Sequence, residues 1–193
     1  MAEEDSVVTI DAAVQAMLAR EEIRQLPFRY ATAIETRDAD AMADLFVPHA
    51  RFGDYGQGRD GARRLMSDSL DASVFAVILV ANHLIELDTE DRAHGQVWAQ
   101  CFAHTHAEGF IEQLIKYEDR YEKHEERWCF LHRRHRLFYG VNRPTSPLTQ
   151  SAADWPRNQT GVGDLPLADP VFVAWWSNAT KHVVPQSDRK QPR

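Results

Sequence analysis

The chain of 193 residues is short of several things, and each shortage excludes a class of protein. It has two cysteines, Cys101 and Cys129, both in apolar strand-like contexts, and two buried thiols fit a reducing compartment better than a disulfide scaffold, with pairing of the two on neighbouring strands the alternative for an exported chain. No stretch approaches the roughly 18 consecutive apolar residues of a membrane span. The first residues, MAEEDSVVTIDAA, contain neither a basic region nor an apolar one, so no secretory signal is expected and the predicted location is cytoplasmic. With 22 basic against 29 acidic residues the formal charge is -7, which argues against a nucleic-acid surface. The run Gly56-x-Gly58-x-x-Gly61 imitates a dinucleotide fingerprint but lies outside any strand-helix-strand unit. His104-x-His106 and His132-x-x-His135 lack the cysteine or aspartate partners of a metal site, so neither metal nor cofactor is expected.

What the chain does have is pattern. From Phe110 to Tyr121 one parity carries Ile111, Gln113, Ile115, Tyr117, Asp119 and Tyr121, the period-2 signature of a half-buried strand. A polar run from Glu122 to Arg127 predicts a turn, and Trp128, Phe130, Leu131, Leu137, Phe138 and Tyr139 resume a β-rich pattern. Upstream, SVFAVILVANHLIEL (73 to 87) predicts a buried strand. RAHGQVWAQCFAHTH (92 to 106) alternates small residues with larger ones, so one face packs closely and the other presents polar and aromatic groups.

Before the strands come helices. Thr9 or Asp11 can cap a short first helix, and Ile23, Leu26, Tyr30, Ala33 and Ile34 return at helical spacing from Glu21 to Thr36, interrupted by Pro27. Asp38 caps a short helix ended by Pro48, and GARRLMSDSLDA forms another. After Gly140 a proline-rich stretch without period leads to an Asp169-Pro170 helix start. Helices first and strands later give an α+β class, one cone domain over 1–140 with its core at 20–140. Residues 141–193 form an extension with a short helix at 170–179 and a disordered tail.

The order helix, helix, small strand, helix and four long strands resembles the nuclear transport factor 2-like superfamily, in its SnoaL-like, scytalone dehydratase-like branch. The resemblance is carried by REEIRQLPFRYATAIETRDADAMADLF (20 to 46), ANHLIEL and KYEDRYEKHEERW. It implies a curved antiparallel sheet wrapped by helices into a cone around an apolar pocket, commonly as a homodimer or homotrimer. It also implies a carboxylate at the end of the first helix, here Glu35, paired with a histidine four residues before Asn82, where this chain has Ile78. His83 and His104 are the substitutes, though on a regular strand His83 points away from the face of Asn82 unless a bulge redirects it. Tyr30 and Asn82 are candidates to polarise a substrate oxygen, and Ile78, Trp98, Tyr117 and Asp119 to line the pocket. The function implied is that of a cofactor-independent lyase or isomerase acting on an apolar oxygenated ring compound. The alternatives are a binding or scaffold protein and the small subunit of a ring-hydroxylating dioxygenase.

Overall fold

A computed structural model describes residues 10–151, 153–154, 156–163 and 170; the predicted helix at 170–179, beyond Pro170, and the tail lie outside the described residues. Three helices, α1 (Ile10–Glu35), α2 (Ala39–Ala43) and α3 (Gly58–Asp71), precede four strands, β1 (Ser73–Leu87), β2 (Arg92–Thr105), β3 (Gly109–His124) and β4 (Arg127–Asn142). The strands form one antiparallel sheet in the order β1-β2-β3-β4. This is the α+β architecture expected of the sequence.

The two helices expected before residue 36 are one. Pro27 is buried within α1 and the helix runs through it, its missing amide costing a single ladder bond. Ile23, Leu26, Pro27, Ala31, Ala33 and Ile34 bury one side of the second half against β1. In the first half the apolar Ile10, Met17 and Leu18 remain exposed. The helix ends with Arg37 in the left-handed region at φ 61, where its amide donates to the Ile34 carbonyl and the Asp38 amide to that of Ala33. That is a left-handed C-terminal stop on a residue other than glycine.

The β3–β4 turn is tighter than the polar run suggests. Glu125 and Glu126 alone close it, both at positive φ (47 and 60), the two-residue geometry whose twist matches the flanking strands. On the inner face of the sheet sit the small parity of β2 (Ala93, Gly95, Val97, Ala99, Cys101, Ala103) and the Ile111-to-Tyr121 parity of β3, as the alternation predicts. The expectation that β1 is wholly buried fails: as an edge strand it leaves Leu79 and Leu84 more than half exposed.

Four register shifts interrupt the sheet, one of them between Ser73 and Phe75 at the start of β1, and the other three re-aim side chains near the site. On β1, Val80 pairs with Ala99 but His83 with Val97, so one extra residue sits around Ala81 and Asn82 and turns His83 inward. On β4, register shifts at Leu131 and Phe138 do the same for the strand that carries Arg133 and His135. A main core of helical residues with Tyr121, Trp128 and Phe130 fills the turn end of the cone. A smaller cluster of Val97, Ala99, Cys101, Ala103, Ile111, Ile115 and Tyr117 lines the rest.

Candidate functional site

The cone encloses a cavity of about 670 Å³ between α1, α3 and the inner face of the sheet. Its floor is built of Ala76, Ile78, Cys101, Ala103, Ile111 and Ile115; one wall carries Tyr30, Tyr117, Arg133 and His135; the rim carries Arg51, Phe52 and Glu108. Small residues on adjacent strands make the room. Ala76 pairs with Ala103 and Ile78 with Cys101, and no large side chain from β2 enters this half.

Behind the polar wall lies a buried chain of hydrogen bonds. Arg133, its side chain 5 % exposed, donates from Nε and Nη2 to the two oxygens of Asp119 at 2.9 and 2.7 Å. A fork of this kind is the strong form of an ion pair, and here it is dry on both sides. Tyr121 donates its hydroxyl hydrogen to Asp119 Oδ2 at 3.0 Å, so the His83 Nε2–H is the donor to the Tyr121 oxygen at 3.0 Å. His83 Nδ1 is buried without a hydrogen-bond partner among the described residues. A second proton would have no acceptor, and burial pushes the His83 pKa down to about 4 against a smaller opposing pull from Asp119.

Arg133 also organises the aromatics. Its guanidinium carbon lies 4.6 Å from the Tyr30 ring centre, 4.1 Å from that of Tyr117 and 4.2 Å from that of Phe130, a desolvated stacking arrangement. Burial alone would lower its pKa, but Asp119 leaves it raised, so the group is cationic at any working pH. Three functional side chains therefore gather on Tyr117: Arg133, Tyr30 with ring centres 6.1 Å apart, and His135 at 5.6 Å. His135, at the exposed side of the cavity, has its pKa lowered by desolvation and then by Arg133, which keeps the imidazole neutral and able to accept a proton. The Tyr30 hydroxyl makes one weak contact, to Met66 Sδ at 3.9 Å, and burial raises its pKa. A ligand oxygen would be a better acceptor than that sulfur.

Several expected site residues are elsewhere. Glu35 is exposed and does not line the cavity, because the buried stripe of α1 passes through Ile34 and a helix turns about 100° per residue. The residue at this end that does turn in is Arg37, which donates to the carbonyls of Leu70 and Ser73 and to Ser73 Oγ. Asn82 is exposed on the β1 bulge. His104 is on the outer face, where Nδ1 contacts Ser146 Oγ at 2.9 Å and the ring packs beside Phe75. Trp98 is also outside, against Phe138 and Lys116, because the inward parity of β2 is the small one. His83 is inside but bound into the Tyr121–Asp119 network, outside the cavity lining. Tyr30, Ile78 and Tyr117 line the cavity, with Asp119 directly behind it. No group of three or more metal-ligating side chains exists among the described residues.

Arg133 and His135 escaped the sequence reading because the run Arg133-Arg134-His135-Arg136 has the look of a solvated edge. The signal was parity: both alternate with Arg134 and Arg136, which reach out to Glu118.

A helix-wrapped, curved antiparallel sheet around one apolar cavity defines the nuclear transport factor 2-like class of fold, and comparisons with known proteins agree. Residues 15–134 match the SnoaL-like domain family, and the chain belongs to it. No curated protein matches the chain in sequence. Among solved structures it is similar to the hexachlorocyclohexane dehydrochlorinase LinA-type3 from Novosphingobium barchaimii, at 17% identity and a TM-score of 0.63, over 69% of this chain and 96% of that one. It is also similar to a Novosphingobium aromaticivorans protein provisionally assigned as a scytalone dehydratase (16%, TM-score 0.59, 69% and 93% covered). A Mycobacterium tuberculosis protein of unknown function aligns over 95% of this chain and all of its own, at 20% identity and a TM-score of 0.56.

Proposed function

We propose that the protein is a cofactor-independent lyase or isomerase that moves a proton on an apolar, oxygenated ring compound held in the cavity. The observation that carries this reading is the cluster on Tyr117: a permanently cationic Arg133, a weakly engaged Tyr30 hydroxyl and a neutral His135 imidazole beside an apolar cavity of ring-compound size.

In this mechanism the ring lies over Ile78, Cys101 and Ala103, and its carbonyl oxygen accepts from Tyr30 and from the free Nη1 edge of Arg133. His135 removes the proton from the adjacent carbon; the C–H electron pair moves onto oxygen, and the enolate is held by the fixed donors. Return of the proton to a different carbon completes an isomerisation. Departure of a β-hydroxyl as water, carrying that proton away, completes a dehydration. Asp119 positions Arg133 and does not touch substrate.

A deuterium-exchange measurement on a simple ring ketone, 2-tetralone, tests this in D2O by NMR. Wild type is expected to accelerate exchange at the activated carbon, and His135→Gln to lower the rate by about 100-fold, the usual worth of a general base, with ketone affinity retained. Exchange that survives His135→Gln undiminished sinks the assignment. Glu35 in solvent and Ile78 at a floor position with no proton acceptor favour the second reading, a binding protein without chemistry. In that case wild type binds the ketone and exchange stays at the buffer rate.

The outer sheet face supports assembly as a homodimer or homotrimer: Leu79, Leu84, Phe138 and Tyr139 are exposed there. No helix among the described residues is long and apolar enough to cross a membrane.

A further inference from the structure

A chain with a formal charge of -7 sets three arginines, Arg37, Arg51 and Arg133, into the lining of its cavity, against one lining carboxylate, Glu108. Arg133 is matched by Asp119, and Arg37 donates to Leu70 and Ser73. Arg51 is different: its side chain makes no hydrogen bond or ion pair with any described residue. Its neighbours in sequence and space do not share that state. Arg59 and Arg63 pair with Asp40 and Asp44, and Arg64 donates to the Tyr55 carbonyl.

The backbone under Arg51 is held in place. Arg51 bridges to Gln57, the Phe52 amide donates to the Gly56 carbonyl at 2.8 Å, and Gly58 donates to the Ala50 carbonyl at 2.8 Å. Gly56 and Gly58 sit at φ 91 and 69, conformations that glycine adopts freely. The Phe52 ring packs edge-on against Phe46, 5.1 Å between centres. A tight loop thus carries an unmatched guanidinium on the rim of an apolar cavity, where low-dielectric walls strengthen its field.

We infer that the ring compound accepted by the cavity carries a carboxylate, which Arg51 receives at the rim while the ring enters toward Tyr117. The inference rests on the proposed function and adds the charge of its substrate. A carboxylate meets a guanidinium in a two-point, charge-assisted contact that a neutral group cannot reproduce.

The test compares naphthalene-2-carboxylate with naphthalene-2-carboxamide by titration calorimetry at pH 7 and low salt. The carboxylate is expected to bind about tenfold more tightly, the size of one charge-assisted contact in a partly desolvated site. Arg51→Gln should bring the two within about twofold, with carboxamide affinity and melting temperature unchanged because Arg51 is exposed; Arg51→Lys should keep part of the preference. Equal affinities in wild type, or an equal loss for both probes in Arg51→Gln, overturns the inference. If that happens while 2-tetralone exchange is intact, the charge assignment alone falls; if neither probe binds and exchange is absent, the cavity reading falls with it.

Discussion

The two ends of the sheet's inner face are made from the same four strands and look nothing alike. At the turn end each row sets two larger side chains beside one small residue of β2: Asp119 and Arg133 beside Gly95, Tyr121 and Phe130 beside Ala93. Those rows close solid, and their polar groups are bonded to one another. At the open end the rows hold Ala76 with Ala103 and Ile78 with Cys101, and about 670 Å³ remains. Curvature alone therefore does not make the cavity; the placement of small residues on adjacent strands decides which half is core and which is site.

The largest test of this contrast is Asp119→Ala. It strands Arg133 as an uncompensated buried charge and removes the acceptor of Tyr121, so equilibrium urea unfolding should show a loss of about 3–5 kcal/mol. A loss below about 1 kcal/mol would mean that the network does not hold the closed end.

Gly95→Ala comes next. The added Cβ would stand 2.5 Å from the Leu84 carbonyl oxygen and 3.2 Å from the Tyr121 ring, so the expected destabilisation is about 1–3 kcal/mol. The same measurement on Gly109→Ala is no control, because Gly109 has φ 76 and is strained for its own reason.

A smaller effect is expected from pH. His83 has a folded pKa of about 4 against an ordinary value of 6.5, so on acidification the unfolded chain takes up the proton first. Stability is complete above about pH 6.5, falls through the window and has lost this contribution by about pH 4. With His83 partly exposed the fall should be about 1–2 kcal/mol after screening. His104 and His135 are lowered too and act with the same sign, so the quantity to measure is wild type minus His83→Gln across that range. Parallel curves would show that His83 is not held neutral.

The smallest expected change in stability belongs to Ala103→Leu in the open half. Its side chain can grow into empty space, so unfolding should shift by less than about 1 kcal/mol, while 2-tetralone binding drops by at least about tenfold. A large destabilisation would mean that the space is not there.

Much of this contrast was legible in the sequence. The small parity of β2 and the Ile111-to-Tyr121 parity of β3 are strict period-2 patterns, and both face inward. The family match over residues 15–134 agrees with the cone expected from the order of elements. The site was less legible, because it depends on single-residue offsets. Counting back from the two-residue turn puts Asp119 opposite His132, and the shift at Leu131 brings Arg133 there instead. Glu35 fails for a similar reason: one step beyond Ile34 carries a side chain out of the buried stripe, and the left-handed Arg37 then turns the chain. Periodicity finds faces; it does not find the irregular residues that decide which side chain fills a given place on them.

The extra residue on β1 has a bearing on how this chain is compared and rebuilt. Ile78 and His83, five positions apart, both face inward. An ungapped superposition of this segment on a regular strand must therefore misplace one of them, and histidines matched across such an offset will not be counterparts. Excising one of Ala81 and Asn82 would restore a regular strand in which positions 78 and 83, then four apart, still face inward with His83 opposite Val97, so a graft between this chain and a regular strand should place its gap there.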